Sequence, residues 1–169
     1  LPRFRPPAVL LPHGTVGNSA SGIAPDVSKG KFGPFKEQLF VADQTHSVIN
    51  RCFLEKINGY YQGACFPFVK GFGSGNVPVV QAPDGSLFSG GTDRGWGARG
   101  GKRYALDRVV WTGKNPFEIL EMRIQKDGFE LEFTKPVSKA SVESVESYEI
   151  KTHTYIFQGR YGSPRVDAS

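Results

Sequence analysis

Short apolar segments recur along the chain at intervals of roughly ten residues, and turn-forming residues separate them. Within the segments, apolar residues either alternate with polar ones or run continuously, and both patterns are typical of short strands. The predicted strands cover residues 38–43, 47–57, 60–68, 77–81, 86–90, 104–111, 119–125, 129–134 and 148–157. Residues 13–31 are polar and Gly-rich and predict a loop, whereas residues 138–147 suit a short helical turn. The pattern predicts an all-β protein of the sandwich, barrel or propeller kind.

Turn-forming sequences between the predicted strands indicate which neighbouring strands pair with each other. Asn58-Gly59 stands between two strand segments and is the strongest short-range signal for a two-residue hairpin turn. With that turn, Cys52 lies opposite Cys65 on the returning strand. The Pro-Asp-Gly sequence at 83–85 and the Lys-Asp-Gly sequence at 126–128 predict two further chain reversals.

The two cysteines of the chain, Cys52 and Cys65, fall at a non-hydrogen-bonded position of the predicted hairpin. Opposed α-carbons at such a position lie about 4.5 Å apart, near the lower end of the range for a disulfide. One interpretation is a cross-strand disulfide in an oxidising compartment, and the other is a pair of small buried thiols. A bulge at Gly63 would shift the register and remove the pairing. No metal-type cysteine spacing and no Cys-x-x-Cys-His haem motif occurs.

Composition favours a folded β protein and narrows the classes of partner. The 169 residues include 21 Gly, 12 Pro and 13 Phe, which favours short strands and turns over long helices or disorder. A net charge of +5 is mild, so a solvated basic surface explains it better than nucleic-acid binding, even with the Arg-Gly stretch at 94–101. No apolar run suits a transmembrane segment. The first residues lack a signal-peptide core, so we expect a mature or excised product with both ends cut.

Five short motifs, rich in Phe, Gly and Val, follow one another in a fixed order, at residues 29–35, 38–43, 48–51, 77–88 and 106–111. This ordered set resembles the glucose/sorbosone dehydrogenase-like family of quinoprotein-type β-propellers, in particular large multidomain members of planctomycete type. The resemblance implies a partial β-propeller of about two blades at residues 1–113, followed by a β-sandwich-like segment at 114–169. Residues 127–136 resemble the opening strand of that sandwich, and residues 161–164 fit the same segment.

The same family implies a six-bladed propeller that binds pyrroloquinoline quinone with Ca²⁺ and oxidises a sugar alcohol or an aldose. Quinone-binding members carry an Arg-x-Arg pair before the Pro-Asp-Gly turn, but the corresponding positions here hold Gly75, Asn76 and Val77. The position of a family Lys holds Thr45. Because a polyanionic quinone needs cations to hold it, we expect no cofactor, no metal and no catalytic residue in this chain.

One group of candidate binding residues, Asp43, Gln44 and His46, directly follows a predicted strand. These side chains would line a propeller channel and contact a polar ligand or a metal, with His46 as a base. The alternative is a solvated β-turn that carries His46 on its surface. This alternative is favoured because a single His without other ligand residues is weak evidence for a site.

A second group, Arg94 and Trp96, stands in a Gly-rich loop. Trp and Arg are common at the centres of binding sites, so the pair would form a stacking and charged platform for a sugar or a partner protein. The alternative is that Trp96 caps a blade core and that Arg94 pairs with Asp93 or Asp107.

These observations lead to one main functional hypothesis and two alternatives. A partial propeller exposes sheet edges and an apolar face, so the chain is interpreted as a non-catalytic binding or scaffold subunit that contacts other protein chains. We expect it to act within a larger periplasmic assembly or after secretion, and not on nucleic acid. The alternatives are a fragment of a sugar oxidoreductase whose cofactor site lies on other blades, and a carbohydrate-binding module that uses Trp96.

Overall fold

The computed structural model describes residues 7–156, 158–159 and 163–167, and it confirms the all-β class. The strands are β1 (Ala20–Pro25), β2 (Leu39–Asp43), β3 (Val48–Ile57), β4 (Tyr60–Lys70), β5 (Asn76–Gln81), β6 (Leu87–Thr92), β7 (Tyr104–Val109), β8 (Ile119–Gln125), β9 (Gly128–Phe133), β10 (His153–Tyr155) and β11 (Arg165–Asp167). One short helix, α1, spans Lys139–Glu143, and a 3₁₀-helix spans Val145–Ser147. The chain divides into two compact units, Leu1–Lys135 and Pro136–Ser169.

The first unit begins with an antiparallel sheet in the order β1-β2-β3-β4. Its longest ladder joins β3 and β4, where Ile57 pairs with Tyr60 across the predicted turn. Both turn residues have positive φ, 50° at Asn58 and 85° at Gly59. This is the conformation that matches the twist of the flanking strands, and it is why Asn-Gly marks such hairpins.

The register predicted for the two cysteines is confirmed. Cys52 pairs with Cys65 in the β3–β4 ladder, and the irregularity of that ladder lies between Ile49 and Asn50 rather than at Gly63. Both thiols are free in this structure. The chain geometry therefore brings the cysteines opposite each other without a bond between them.

The prediction of a loop over residues 13–31 is wrong for β1. This strand pairs with β2 on one side and approaches β5 on the other, so that it joins two sheets. A Cβ atom on Gly22 would lie 2.4 Å from the Val77 carbonyl oxygen, so only glycine permits the approach. Ser21 Oγ, which contacts the Asn76 carbonyl oxygen at 2.8 Å, adds a polar link. The packing thus requires small residues in β1, and the same small residues make the segment look unlike a strand in the sequence.

The second sheet, β5-β6-β7, is also antiparallel, and an apolar cluster lies between it and the first sheet. The cluster consists of Ala24, Phe32, Phe35, Phe40, Ala42, Ile49, Phe72, Val79 and Leu87. Its aromatic rings meet edge to face, with centroids 5.5 Å apart for Phe32 and Phe40 and 4.9 Å apart for Phe35 and Phe68. Such pairs add to the free energy gained by burying the rings. The β8–β9 hairpin completes this unit.

A fully buried arginine, Arg51, connects β8 to the first sheet. Its Nη1 donates to Gln38 Oε1 and to the Leu120 carbonyl oxygen, the latter at 2.8 Å. Its Nη2 donates to the Ile119 carbonyl oxygen at 2.6 Å and lies 3.5 Å from a Glu118 carboxylate oxygen. The side chain of one strand thereby satisfies backbone carbonyl groups nearly seventy residues further along the chain.

Aromatic rings enclose the same guanidinium. Its central carbon lies 4.6 Å from the ring centroids of both Phe35 and Phe66, within range of cation–π attraction. Burial lowers the pKa of Arg51 from its ordinary value, while the Glu118 carboxylate acts in the opposite direction. The ring faces, the carbonyl oxygens and Glu118 offset part of the hydration that the cation loses, while its Nε has no hydrogen-bond partner among the described residues.

The second unit is short and its residues are mostly exposed. Ser138 caps α1, because its Oγ accepts a hydrogen bond from the Ser141 amide. The Tyr148 hydroxyl donates to the Val142 carbonyl oxygen at 2.9 Å. The final strand was predicted over residues 148–157, but the described strand β10 has three residues and pairs with β11. Residues 157 and 160–162, which include part of the predicted 161–164 motif, lie outside the described residues.

The structure contains several open antiparallel sheets, and none of them closes on itself within the described ranges. A propeller is therefore not shown, although two sheets do pack around one core.

The first compact unit extends to Lys135, so β8 and β9 belong to it. The division into propeller-like blades at 1–113 and a β-sandwich-like segment at 114–169 stays a prediction. None of the helices described is long and apolar enough to span a membrane.

We expect the Arg51→Met substitution to lower the free energy of unfolding by about 3 kcal/mol, because it leaves buried carbonyl oxygens without donors. The matched control is Arg108→Met. Arg108 pairs with Asp84 on the surface with its side chain 49% exposed, and its loss should cost less than about 1 kcal/mol. Urea denaturation of both variants measures the difference. Equal losses would contradict a special role for the buried arginine.

Candidate functional site

Three connections gather at one end of the two sheets of the first unit. They are the β2–β3 turn, the β4–β5 connection and the β6–β7 loop, at residues 44–47, 71–75 and 93–103, with the strand ends that flank them. We call this region the loop end. Antiparallel strands reverse direction at each turn, so alternate connections emerge on the same side. Backbone hydrogen bonds from Lys102 to Gly73 (3.0 Å) and from Arg99 to Thr45 (2.9 Å) join them directly.

The β2–β3 turn is organised by Asp43, whose side chain is completely buried. Its Oδ1 accepts a hydrogen bond from the His46 amide at 2.7 Å, and its Oδ2 accepts from the Asn18 and Ser19 amides at 2.7 and 2.8 Å. Both carboxylate oxygens are thus committed to backbone donors. Asp43 therefore shapes the turn rather than offering a ligand to the exterior.

Gln44 and Trp96, which the sequence placed in two separate candidate groups, meet at the loop end. Gln44 Nε2 donates to the Thr92 and Trp96 carbonyl oxygens at 3.0 and 2.8 Å. The indole Nε1 of Trp96 donates to Thr45 Oγ1 at 2.9 Å. These contacts hold the Gly-rich loop against the β2–β3 turn. The structure thus unites two groups that are about fifty residues apart in sequence.

Trp96 remains 56% exposed although its indole N–H is fixed, so it does not cap a buried core. Arg94 is exposed too. Within the described ranges, no ion pair joins it to Asp93 or Asp107, and Asp107 instead accepts a hydrogen bond from the Gly73 amide at 3.0 Å. Both side chains therefore face solvent and are accessible to a ligand.

Two glycines allow the loops to approach each other this closely. A Cβ atom on Gly75 would lie 2.4 Å from the Gln44 carbonyl oxygen, and one on Gly100 would lie 2.5 Å from the Phe72 carbonyl oxygen. Real Cβ atoms are not found at such distances, so these positions require glycine. The Gly100 amide also donates to Ser47 Oγ at 2.8 Å. The loop end is accordingly packed and defined, although much of it is loop.

Two adjoining cavities open at the loop end, with volumes of about 230 and 340 Å³. His46, Val48, Lys70 and Arg99 line both of them, and we call the combined space the basic cleft. His46 is only 7% exposed, whereas the solvated-turn alternative requires it to lie on the surface.

The sequence did not predict that Lys70 and Arg99 would belong to the site. Lys70 belongs to no motif, and the one signal for Arg99 was the Arg-Gly stretch, which looked like an ordinary loop.

The cysteine pair lies elsewhere, in the middle of the β3–β4 ladder. A hydrogen bond from the Cys65 thiol lowers the pKa of Cys52, burial opposes this effect, and the Arg51 guanidinium supports it. The pKa of Cys65 is raised by the same hydrogen bond and by burial. The two buried thiols therefore share one hydrogen bond, and their ionisation is linked.

These features define the protein as a small open-sheet β protein with a basic cleft between its loops. Within the described residues, no group of three His, Cys, Asp or Glu side chains could hold a metal ion. No protein-family model, curated protein or solved structure matches the chain. The resemblance to quinoprotein-type propellers therefore stays a prediction.

We expect Gly100→Ala to lower the free energy of unfolding by about 2 kcal/mol, because the added methyl group forces the loop away from its neighbours. Gly101→Ala is the matched control, since no atom lies within 4 Å of a Cβ placed there. Thermal unfolding and the emission of Trp96 report on stability and on loop position. A Gly100→Ala protein as stable as the Gly101→Ala protein would contradict the close packing of the loop.

Proposed function

We propose that this chain is a non-catalytic β-rich binding subunit that contacts another protein chain through the outer face of β5-β6-β7. The observation that carries the proposal is an apolar sheet face on which none of the described residues of the first unit packs. Val80 is 59% exposed, Leu106 77% and Tyr104 81%. Exposed apolar patches of this kind on a soluble protein are characteristic of interaction surfaces.

The strand register places these side chains on one face. Val80 pairs with Phe88, and Phe88 pairs in turn with Arg108. Leu106 and Tyr104 follow Arg108 at intervals of two residues on β7, so all of them point to the same side of the sheet. Phe88 is half-buried beneath the Arg108 guanidinium, whose carbon lies 5.4 Å from the ring centroid. An apolar centre beside a charged residue is the usual composition of a protein interface.

An open edge adds to this surface. β7 pairs with β6 on one side, and the sheet order places no further strand on its other side among the described residues. Unpaired backbone groups along such an edge can bond to a strand of another chain. The partner proposed here is therefore a protein that presents a β-sheet, as in a larger assembly of propeller-derived chains.

We expect the protein to bind a hydrophobic fluorescent dye and to associate with a sheet-bearing partner or with itself at high concentration. The double variant Val80→Lys/Leu106→Glu should lose dye binding and association without a loss of secondary structure. Val145→Lys/Ile150→Glu removes equally exposed apolar side chains from the second unit and is the control. Sedimentation and dye titration are the measurements. A strictly monomeric protein that binds no dye would contradict the proposal.

The proposed setting is the periplasm or the exterior of the cell, where the facing cysteines would oxidise to a disulfide. The register supports this, because Cys52 and Cys65 are directly paired. A thiol–disulfide oxidant of that compartment would accept the two electrons, and both thiol protons would be released.

We expect native material, denatured and alkylated without reductant, to show no added mass, and reduced material to show two alkylated thiols. The crosslink should raise the free energy of unfolding by about 2 to 3 kcal/mol, because it closes a short loop in the unfolded chain. Cys52→Ser/Cys65→Ser provides the control that cannot oxidise. Two alkylated thiols in native material would contradict both the disulfide and the oxidising compartment.

Carbohydrate binding is a second candidate, and the exposure of Trp96 favours it. Its ring is held by the hydrogen bond to Thr45, and a fixed aromatic face is suited to stacking on a sugar ring. Fluorescence titration of the Trp111→Phe variant with a neutral oligosaccharide separates this candidate from the first, because Trp96 is then the remaining tryptophan and its emission reports on a sugar bound there. Unchanged emission would contradict it.

A further inference from the structure

The basic cleft concentrates positive charge without a compensating acid. The charge comes from Lys70 and Arg99, which line both cavities beside His46, and no Asp or Glu is among the described residues that line either of them. Within the described ranges, the Lys70 ammonium, the Arg99 guanidinium and the His46 ring form no ion pair or side-chain hydrogen bond. Their capacity to donate hydrogen bonds is therefore unused in the protein itself.

Within the described residues, no acid forms an ion pair with these cations, although Asp107 lines a neighbouring cavity together with Lys70. The carboxylate of Asp43 lies beneath the turn, where backbone amides occupy both of its oxygens. The carboxylate of Asp107 accepts a hydrogen bond from the Gly73 amide. Like charges that share a partly enclosed cleft repel each other, and a low-dielectric wall strengthens that repulsion. A ligand of opposite charge would relieve it.

The cleft is also held in shape before any ligand binds. The Arg99 amide donates to the Thr45 carbonyl oxygen at 2.9 Å, and the Gly100 amide donates to Ser47 Oγ at 2.8 Å. Ser47 itself has a positive φ of 53°, a strained conformation that the surrounding contacts maintain. Because the backbone that carries Arg99 is fixed, binding a ligand orders mainly the long side chains of the two cations.

We propose that the basic cleft is a binding site for a small organic polyanion, which it recognises through carboxylate or phosphate oxygens. The Arg99 guanidinium can hold two such oxygens in a bidentate manner, and the Lys70 ammonium supplies a point charge beside it. His46 and Ser47 line the larger cavity, and the His46 ring can donate to a further oxygen. The cavity volumes, about 230 and 340 Å³, suit a metabolite rather than a macromolecule.

This site is separate from the proposed protein-binding face, because the two share no residue. The basic cleft lies at the loop end, whereas the apolar face lies on the flat side of β5-β6-β7. Failure of one proposal therefore leaves the other intact.

The test is calorimetric titration of the whole chain with citrate, glucose 6-phosphate and glucose. Glucose carries the ring of glucose 6-phosphate without its charge, so it isolates the contribution of the anionic oxygens. We expect citrate or glucose 6-phosphate to bind and glucose not to bind. Added salt should weaken the binding, because the cations are partly exposed to solvent.

Substitutions then assign the binding to the cleft. Lys70→Gln and Arg99→Gln should each raise the dissociation constant about tenfold, and the double variant about a hundredfold, as expected for charge-assisted hydrogen bonds. Lys114→Gln/Lys126→Gln removes the same net charge from exposed positions outside the cleft and should leave the affinity unchanged. Thermal unfolding of every variant establishes that it is folded.

Three results would overturn the proposal. The first is the absence of binding by both polyanions at millimolar concentration. The second is an affinity for glucose equal to that for glucose 6-phosphate, which would favour a neutral-sugar site. The third is equal weakening by the control pair, which would show that overall charge rather than the cleft attracts the anion.

Discussion

The buried guanidinium of Arg51 is the interaction on which the arrangement of the first unit depends. Removing a cation from water is costly, and the cost is offset only if every element that surrounds it is in place. Gln38, which directly precedes β2, the rings of Phe35 and Phe66, and the carbonyl groups of Ile119 and Leu120 all contribute. Apolar packing tolerates small displacements, whereas these hydrogen bonds do not. Arg51 therefore specifies where β8 lies in addition to stabilising it.

Glycine has the corresponding role at the loop end. Gly22, Gly75 and Gly100 each lie where a Cβ atom would overlap a backbone atom of another segment. Backbone atoms of distant segments thus meet directly, and turns that would otherwise be independent become one packed region. The basic cleft follows from this arrangement. Lys70 lies at the end of β4 and Arg99 lies in the β6–β7 loop, and the close approach of the two segments brings these cations together.

Local patterns predicted local structure well. The Asn58-Gly59 turn determined the pairing of Cys52 with Cys65 because a two-residue hairpin leaves little freedom of register. β1 was missed because its small residues serve contacts with β5, which lies more than fifty residues further along the chain. Lys70 was missed for a similar reason, since nothing adjacent to it in sequence shows that it faces Arg99.

The spacing of Arg51 and its acceptors also sets an order of events during synthesis. The Leu120 carbonyl oxygen follows Arg51 by 69 residues, so β3 leaves the ribosome well before the groups that must surround its arginine. At ordinary rates of translation this interval lasts roughly 3 to 14 s. During that time Arg51 lacks its acceptors on β8, so we expect its side chain to stay hydrated at the surface of the nascent first sheet. We therefore expect the burial of Arg51 to follow the synthesis of β8.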